Sequence, residues 1–420
     1  MSSLHHRMLN NRPDSDSEPD TSGDLASDDD GGPLVNERPL TRRRRPPVAV
    51  AAVPSRTGKT VLVTGGAGFI GSHVAEVLLS RGDRVVVVDE MNDYYDISIK
   101  RANLEALQKK HGGLVSVHEG DVCDADFIGK VFEDEKPKYV VHMAARAGVR
   151  PSIDDPFVYV HSNVEATTRL LDLARRHGNE SFVFASSSSV YGGSQASLFS
   201  EDDVVDHPVS PYAATKKAKE LMAYTYHHLY GLNIAGLRFF TVYGPRGRPD
   251  MAPFKFVDRV ARGVELQRYG DGTSSRDYTY IDDIVDGTVR ALDRPLGYQI
   301  YNLGRGDSTS LNEFIEIVEE KVGKKAIVRV LPDQPGDVPR TCADISKARR
   351  LLGYNPQTPF AEGMAKTVAW YQNEYAPMMA AREKAAEAPI TRSQVLLGRP
   401  LPPADLLTKA VSMLDLSAGC

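Results

Sequence analysis

Thr60-Val-Leu-Val-Thr64 runs straight into Gly65-Gly66-Ala67-Gly68-Phe69-Ile70-Gly71, and an amphipathic stretch, Ser72 to Ser80, follows without a break. A β-branched run, a glycine turn and a helix start, in that order, open a dinucleotide-binding βαβ unit. Glycine permits the tight turn and lets backbone N–H groups approach a pyrophosphate, whose charge is stabilised at the helix N-terminus. Gly71 lets helix and strand pack closely. Spaced glycines alone also describe an ordinary tight turn, but here a second strand, Arg84 to Asp89, follows and ends in an acid. That carboxylate sits where adenosine ribose hydroxyls arrive and disfavours a 2′-phosphate, so the cofactor expected is NAD rather than NADP. Its contacts are Gly65, Gly68, Phe69, Ile70, Gly71 and Asp89.

From Lys59 to about Tyr375 the same alternation continues. Further strand candidates are Val115 to Glu119, Tyr139 to Met143, Phe182 to Ala185 and Asn233 to Phe239, apolar runs suited to burial on both faces. The fold class expected is α/β, a Rossmann-type doubly wound parallel sheet with a smaller C-terminal α/β substrate-binding lobe. Residues 58–245 are expected to form the NAD-binding domain, with 276–304 returning to it, and residues 246–275 and 305–376 the smaller substrate-binding lobe. Pro245, Pro249 and Pro253 mark the loop-rich change of texture between them.

Residues 1–57 carry an acidic run, Asp28 to Asp30, and a basic run, Arg42 to Arg45, with too few apolar residues to pack, and read as a disordered tail. Residues 377–420, rich in Ala and Pro, read as a low-order extension. A net charge of −5 gives no whole-chain attraction to nucleic acid or anionic membrane, so a small-molecule partner is expected. Cys123, Cys342 and Cys420 stand far apart, which suits neither a disulfide framework nor paired zinc-ligand spacing, and no metal is expected. Nothing approaches the roughly 20 apolar residues of a membrane span. The expected location is cytoplasmic, with Golgi association as the alternative.

In an open parallel sheet, ligands bind at the carboxyl ends of the strands. Gly120-Asp121-Val122 and His142-Met143-Ala144-Ala145 both follow strands, which adds Asp121, Val122, Met143, Ala144 and Ala145 to the cofactor set, together with Asn163. Asp121 faces the adenine or caps a helix, and the sequence leaves both open. Ser210-Pro-Tyr-Ala-Ala-Thr-Lys216 reads as a helix start, so Tyr212 and Lys216, four residues apart, point the same way. Of 18 tyrosines, Tyr212 alone has Lys at that spacing, about what ordinary lysine usage gives by chance. Position strengthens the pair, because it follows the strand ending in Ser186-Ser187-Ser188-Ser189. A neighbouring ammonium and a positive nicotinamide ring both favour phenolate, so Tyr212 is expected to have a lowered pKa and to act as a base.

With these segments stand Asp93-Tyr-Tyr-Asp96, Arg238-Phe-Phe-Thr-Val-Tyr-Gly-Pro245, Gly247-Arg-Pro-Asp-Met251, Arg276-Asp-Tyr-Thr-Tyr-Ile-Asp-Asp283 and Gln334-Pro-Gly-Asp337. Across about residues 59 to 375 the chain resembles the nucleotide-sugar epimerases among the extended short-chain dehydrogenase/reductases. The resemblance implies a tightly bound NAD regenerated each cycle. It also implies a catalytic trio of Ser187, Tyr212 and Lys216, with Tyr212 and Lys216 also touching the cofactor. Arg276 and Asp337 would hold UDP, and the helices over Val160 to Arg175 and Lys216 to Tyr230 would pair in a homodimer. The reaction implied is 4-epimerisation of UDP-glucuronate to UDP-galacturonate, by transient oxidation at C4 and return of hydride to the opposite face.

Related dehydratases carry an Asp-Glu pair where this chain has Ser188-Ser189, and related decarboxylases place Glu at Ser189 and usually Asn at Thr241. Both departures favour epimerisation and put Ser188 and Ser189 beside the sugar. For the uronate carboxylate, Arg248 and Thr241 offer a guanidinium and a hydroxyl suited to charge-assisted hydrogen bonds. Arg150 contacts phosphate or sugar, or is a surface charge. The rival readings are UDP-glucuronate decarboxylase, UDP-hexose 4-epimerase and a non-catalytic NAD-binding scaffold.

Overall fold

The structure, a computed structural model, describes residues 57–332 and 338–387. The tail expected over 1–57 lies almost wholly outside them, as do Asp337 and residues 388–420. Seven parallel strands form the central sheet: β1 (Thr60–Thr64), β2 (Arg84–Asp89), β3 (Val115–Glu119), β4 (Tyr139–His142), β5 (Ser181–Ser187), β6 (Ile234–Phe239) and β7 (Tyr298–Leu303). Their order is β7-β6-β5-β4-β1-β2-β3. Six occupy the positions expected from the sequence within one to two residues at each end. The seventh, β7, reads Tyr-Gln-Ile-Tyr-Asn-Leu and pairs with β6, closing the edge of the sheet.

Along the central strands, successive residues enter opposite cores. Val61, Val63, Val85 and Val87 join one apolar cluster; Leu62, Val86 and Val88 join the other. The first face is covered by α1 (Phe69–Ser80), which contributes Val74, Ala75, Leu78 and Leu79. The second is covered by α2 (Ala125–Glu135), α3 (Ala166–Arg176) and α4 (Pro211–Tyr230), through residues such as Phe132, Leu170, Leu171 and Ala223. Full burial of each such Val or Leu contributes about 1.5–3 kcal/mol, which is why β1 and β2 carry no polar stripe, whereas the edge strand β3 does, with Ser116 and His118.

Helix ends follow their local chemistry. The Ser210 side chain accepts from Ala213 N with Pro211 at the first helical position, and Gly231 closes α4 in the left-handed region. Asp124, not Asp121, caps α2, accepting from Asp126 N and Phe127 N. This removes the capping alternative for Asp121.

Beyond β6 the chain builds small ladders, Thr241–Tyr243 on Tyr278–Tyr280 and Leu266–Tyr269 on Val328–Leu331. Helices Ala252–Arg262, Leu311–Val322 and Phe360–Trp370 pack around Phe314, whose ring lies 4.9 Å from Phe256 and Tyr278 and 5.4 Å from Phe360. Helix Ile281–Asp293 lies on the α1 face of the sheet. The chain stays helical over Ala376–Glu387, where a low-order extension was expected, and Arg382 pairs with Asp96 at 2.6 Å. Among the described residues no helix is long and apolar enough to cross a membrane.

Candidate active site

β1 and β4 are neighbours, yet the helices that follow them lie on opposite faces, so a crevice opens at their carboxyl ends. The Gly65 turn fills its floor. Gly65 has φ +68°, and a Cβ there would stand 2.7 Å from Ala144 N, so β1 and β4 can meet this closely only with glycine at that position. At Gly71 a Cβ would stand 2.1 Å from Gly65 O. Asp89 closes the turn from β2, accepting from Ala67 N at 3.2 Å and Met91 N at 3.0 Å, with Lys100 Nζ 3.5 Å away. A glycine floor with no side chain to intrude, the N-terminus of α1 and the cleft-lining Asp89 carboxylate fit a bound dinucleotide.

One cleft of about 410 Å³ runs from this floor to the far wall, within the usual range for small-molecule sites. It is lined by Gly65, Gly68, Phe69, Ile70, Gly71, Asp89, Asp121, Val122, Met143, Ala144 and Ala145 at one end. Ser187, Ser188, Ser189, Tyr212, Lys216, Thr241 and Arg248 line the other. Three residues expected in the site do not line this cleft. Asn163 is fully buried behind the wall, where its amide spans Arg146 O and Thr215 Oγ1 at 3.0 Å each, so it braces the cleft without lining it. Arg150 lies outside with its guanidinium 5.4 Å from the Tyr269 ring centre. Arg276 stands on Ser275–Arg276, donating to Ser275 O at 2.9 Å. Asp337 is outside the described residues.

Tyr212 and Lys216 come together because both lie on the first turns of α4, while Ser187 ends β5 opposite them. The Tyr212 ring meets Tyr159 edge-on at 6.1 Å. The expectation of a lowered phenol pKa does not hold for the chain alone: burial pushes it up, opposed by hydrogen bonding with Ser187 and by the Arg248 charge. Lys216 does not hydrogen-bond the phenol. Its Nζ donates to Ala185 O at 3.0 Å and stands 5.6 Å from the Tyr212 ring centre. Burial, with Arg248 nearby, lowers the Lys216 amine to about 7. Arg248 makes a two-pronged bond to Asp250, with Nε to Oδ1 at 2.9 Å, and its guanidinium lies 5.3 Å from the Tyr94 ring centre.

Several wall residues were not assigned from the sequence. Tyr94 and Tyr95 line the cleft, Tyr94 donating to Ala147 O at 2.8 Å. Asp93-Tyr-Tyr-Asp96 was the signal for them, but nothing in it says which way the rings point. Lys100, with Nζ bonded to Asn92 O and Oδ1 at 3.1 Å, also lines the cleft, and a lysine on a polar helix carries no such signal.

Residues 62–367 match the family described as GDP-mannose 4,6 dehydratase. The chain belongs to this family. Its relatives include a UDP-glucuronate 4-epimerase of Thermodesulfobacterium geofontis, 48% identical over 310 residues, 74% of this chain and 95% of that protein. Another is UDP-glucuronate 4-epimerase 4 of Arabidopsis thaliana, 42% identical over 363 residues, 82% of this chain and 81% of that one. Among solved structures, a Bacillus cereus UDP-glucuronic acid 4-epimerase in complex with UDP-glucuronic acid and NAD is 35% identical, with a TM-score of 0.70, 74% of this chain and 99% of that chain being covered. The family's name includes a dehydration, but at Ser188-Ser189 this member has no acid to donate a proton to a leaving hydroxyl.

Proposed function

We propose that the protein catalyses NAD-dependent 4-epimerisation of UDP-glucuronate to UDP-galacturonate. The observation that carries this is the single cleft that joins the glycine floor and Asp89 to Tyr212, Ser187, Thr241 and Arg248. When bound, NAD supplies reversible two-electron oxidation at the sugar C4.

Tyr212 Oη takes the proton from the sugar 4-hydroxyl and later returns it, and Ser187 Oγ hydrogen-bonds the same oxygen. Hydrogen bonding with Ser187 and the nearby Arg248 charge favour ionised phenol against the burial that opposes it. Arg248 and Thr241 hold the uronate carboxylate. A 4-keto uronate is a β-keto acid, and this grip keeps the carboxylate out of the geometry that expels carbon dioxide. Ser188 and Ser189 offer hydroxyls and no acid. Arg276 and Asp337 hold UDP, which leaves the keto sugar free to turn about its phosphate linkage and present its other face to Tyr212.

Residues 58–245, with 276–304, make the cofactor domain, and 246–275 with 305–376 the sugar lobe. The protein works as a cytoplasmic homodimer. Exposed apolar side chains on the segment leading into α3 and on α4, Phe157 at 83% and Leu221 at 58% exposure among them, support pairing of these helices between copies. The reading is tested by incubating pure protein with UDP-glucuronate and resolving the products. UDP-galacturonate is expected; UDP-xylose as the main product would refute it.

A further inference from the structure

We propose that Asp121, Cys123 and His161 form a site for a soft divalent cation of the zinc class at the cofactor end of the cleft. Asp121 and Cys123 follow β3, and His161 lies one turn ahead of α3, so chain spacing hides a set that folding assembles. One ligand atom from each falls within 4.8 Å of the other two. His161 Nε2 is 2.8 Å from Asp121 Oδ2, and Cys123 Sγ donates to the His161 carbonyl oxygen at 3.3 Å. Thiolate sulfur, imidazole nitrogen and carboxylate oxygen are the donors zinc prefers, and three of them leave a fourth position for water. Water reaches it, because the Asp121 and His161 side chains are 42% and 44% exposed.

A second observation points the same way. Glu165 Oε2 lies 3.2 Å from His161 Nδ1, and Glu165 Oε1 accepts from Arg169 Nη2 at 3.0 Å. A carboxylate that accepts the Nδ1 proton fixes the imidazole orientation, so that loss of the Nε2 proton directs that nitrogen's lone pair toward Asp121 and Cys123. Histidine metal ligands almost always donate the other ring N–H to a carboxylate, a backbone carbonyl or a water, and Glu165 fills that role here. The reaction proposed above uses none of Cys123, His161 and Glu165.

On binding, the proton held between Nε2 and Oδ2 and the thiol proton both leave to solvent, and Nε2, Oδ2 and Sγ bond the metal with no change of oxidation state. Asp121 and Val122 line the cleft, so a cation here withdraws the Asp121 carboxylate from the dinucleotide. Zinc-class ions are therefore inhibitors that release cofactor, a consequence that rests on Asp121 being a cofactor contact.

The test is a titration of the purified full-length holoenzyme with Co²⁺, whose spectrum reports its ligands, followed by displacement with Zn²⁺. A thiolate-to-cobalt charge-transfer band with tetrahedral visible bands is expected, together with release of NAD. Cys123→Ser should abolish the charge-transfer band, His161→Gln should weaken binding, and Glu165→Gln should weaken it about 10-fold. Absence of a thiolate band, or its persistence in Cys123→Ser, overturns the site, and His161→Gln, changed at a half-exposed position, gives a second check if the serine variant folds poorly. A thiolate band with NAD fully retained upholds the site and overturns the cofactor-release consequence.

Discussion

Lys216 and Lys219 direct their Nζ atoms at one acceptor, the Ala185 carbonyl oxygen, at 3.0 and 3.2 Å. The two side chains are 2% and 0% exposed, and among the described residues neither makes a salt bridge. Lys216 lines the cleft, but Lys219 does not, so its burial brings a cost with no direct role to offset it.

Burial drives the Lys219 amine well below its usual range, with the Lys216 charge adding to the effect. An unfolded lysine keeps its proton to about pH 10.4, so between the folded and unfolded values the unfolded chain binds more protons, and stability rises with pH. Lys219→Met is therefore expected to stabilise the protein at neutral pH by on the order of 1–3 kcal/mol, net of one lost hydrogen bond. The gain should shrink toward about pH 10. Urea unfolding at neutral and alkaline pH measures this, and a variant destabilised equally at both would count against it.

Tyr212→Phe removes one oxygen and keeps the edge-on contact with Tyr159. Turnover should fall by at least about 100-fold, the scale of a lost acid–base group, with fold and bound cofactor unchanged. Steady-state rates, together with the dinucleotide released on denaturation, separate lost chemistry from lost binding. Undiminished interconversion of the two uronates would place the reaction centre elsewhere.

Arg248→Ala should weaken UDP-glucuronate by about 10- to 100-fold, the value of charge-assisted hydrogen bonds, and leave UDP affinity nearly unchanged. It also strips Asp250 of its partner, so Asp250→Asn serves as the control for local disturbance. Calorimetric titration with both ligands decides, and equal losses for the two would remove Arg248 from the carboxylate.

Gly71→Ala would put a methyl 2.1 Å from the Gly65 carbonyl oxygen, backbone that cannot swing aside. The expected result is loss of most bound NAD and a lower melting temperature. A variant purified with a full complement of cofactor would show that the turn is not packed as described.

The sequence by itself determined what acts over a strand or a turn. Short apolar or β-branched runs marked six of the seven strands, the glycines specified the turn after β1, and Ser210-Pro211 specified the start of α4, hence the shared direction of Tyr212 and Lys216. Only the tertiary structure decided what depends on packing between distant segments. It put Asn163 behind the wall although its neighbour Ser162 lines the cleft. It turned Tyr94 and Tyr95 inward, buried Lys219 beside Lys216 and brought His161 onto Asp121 across 40 residues. The physical reason is that backbone propensity and capping are local energies, whereas which side chain meets a cavity is fixed by how helices and strands from separate parts of the chain close against one another.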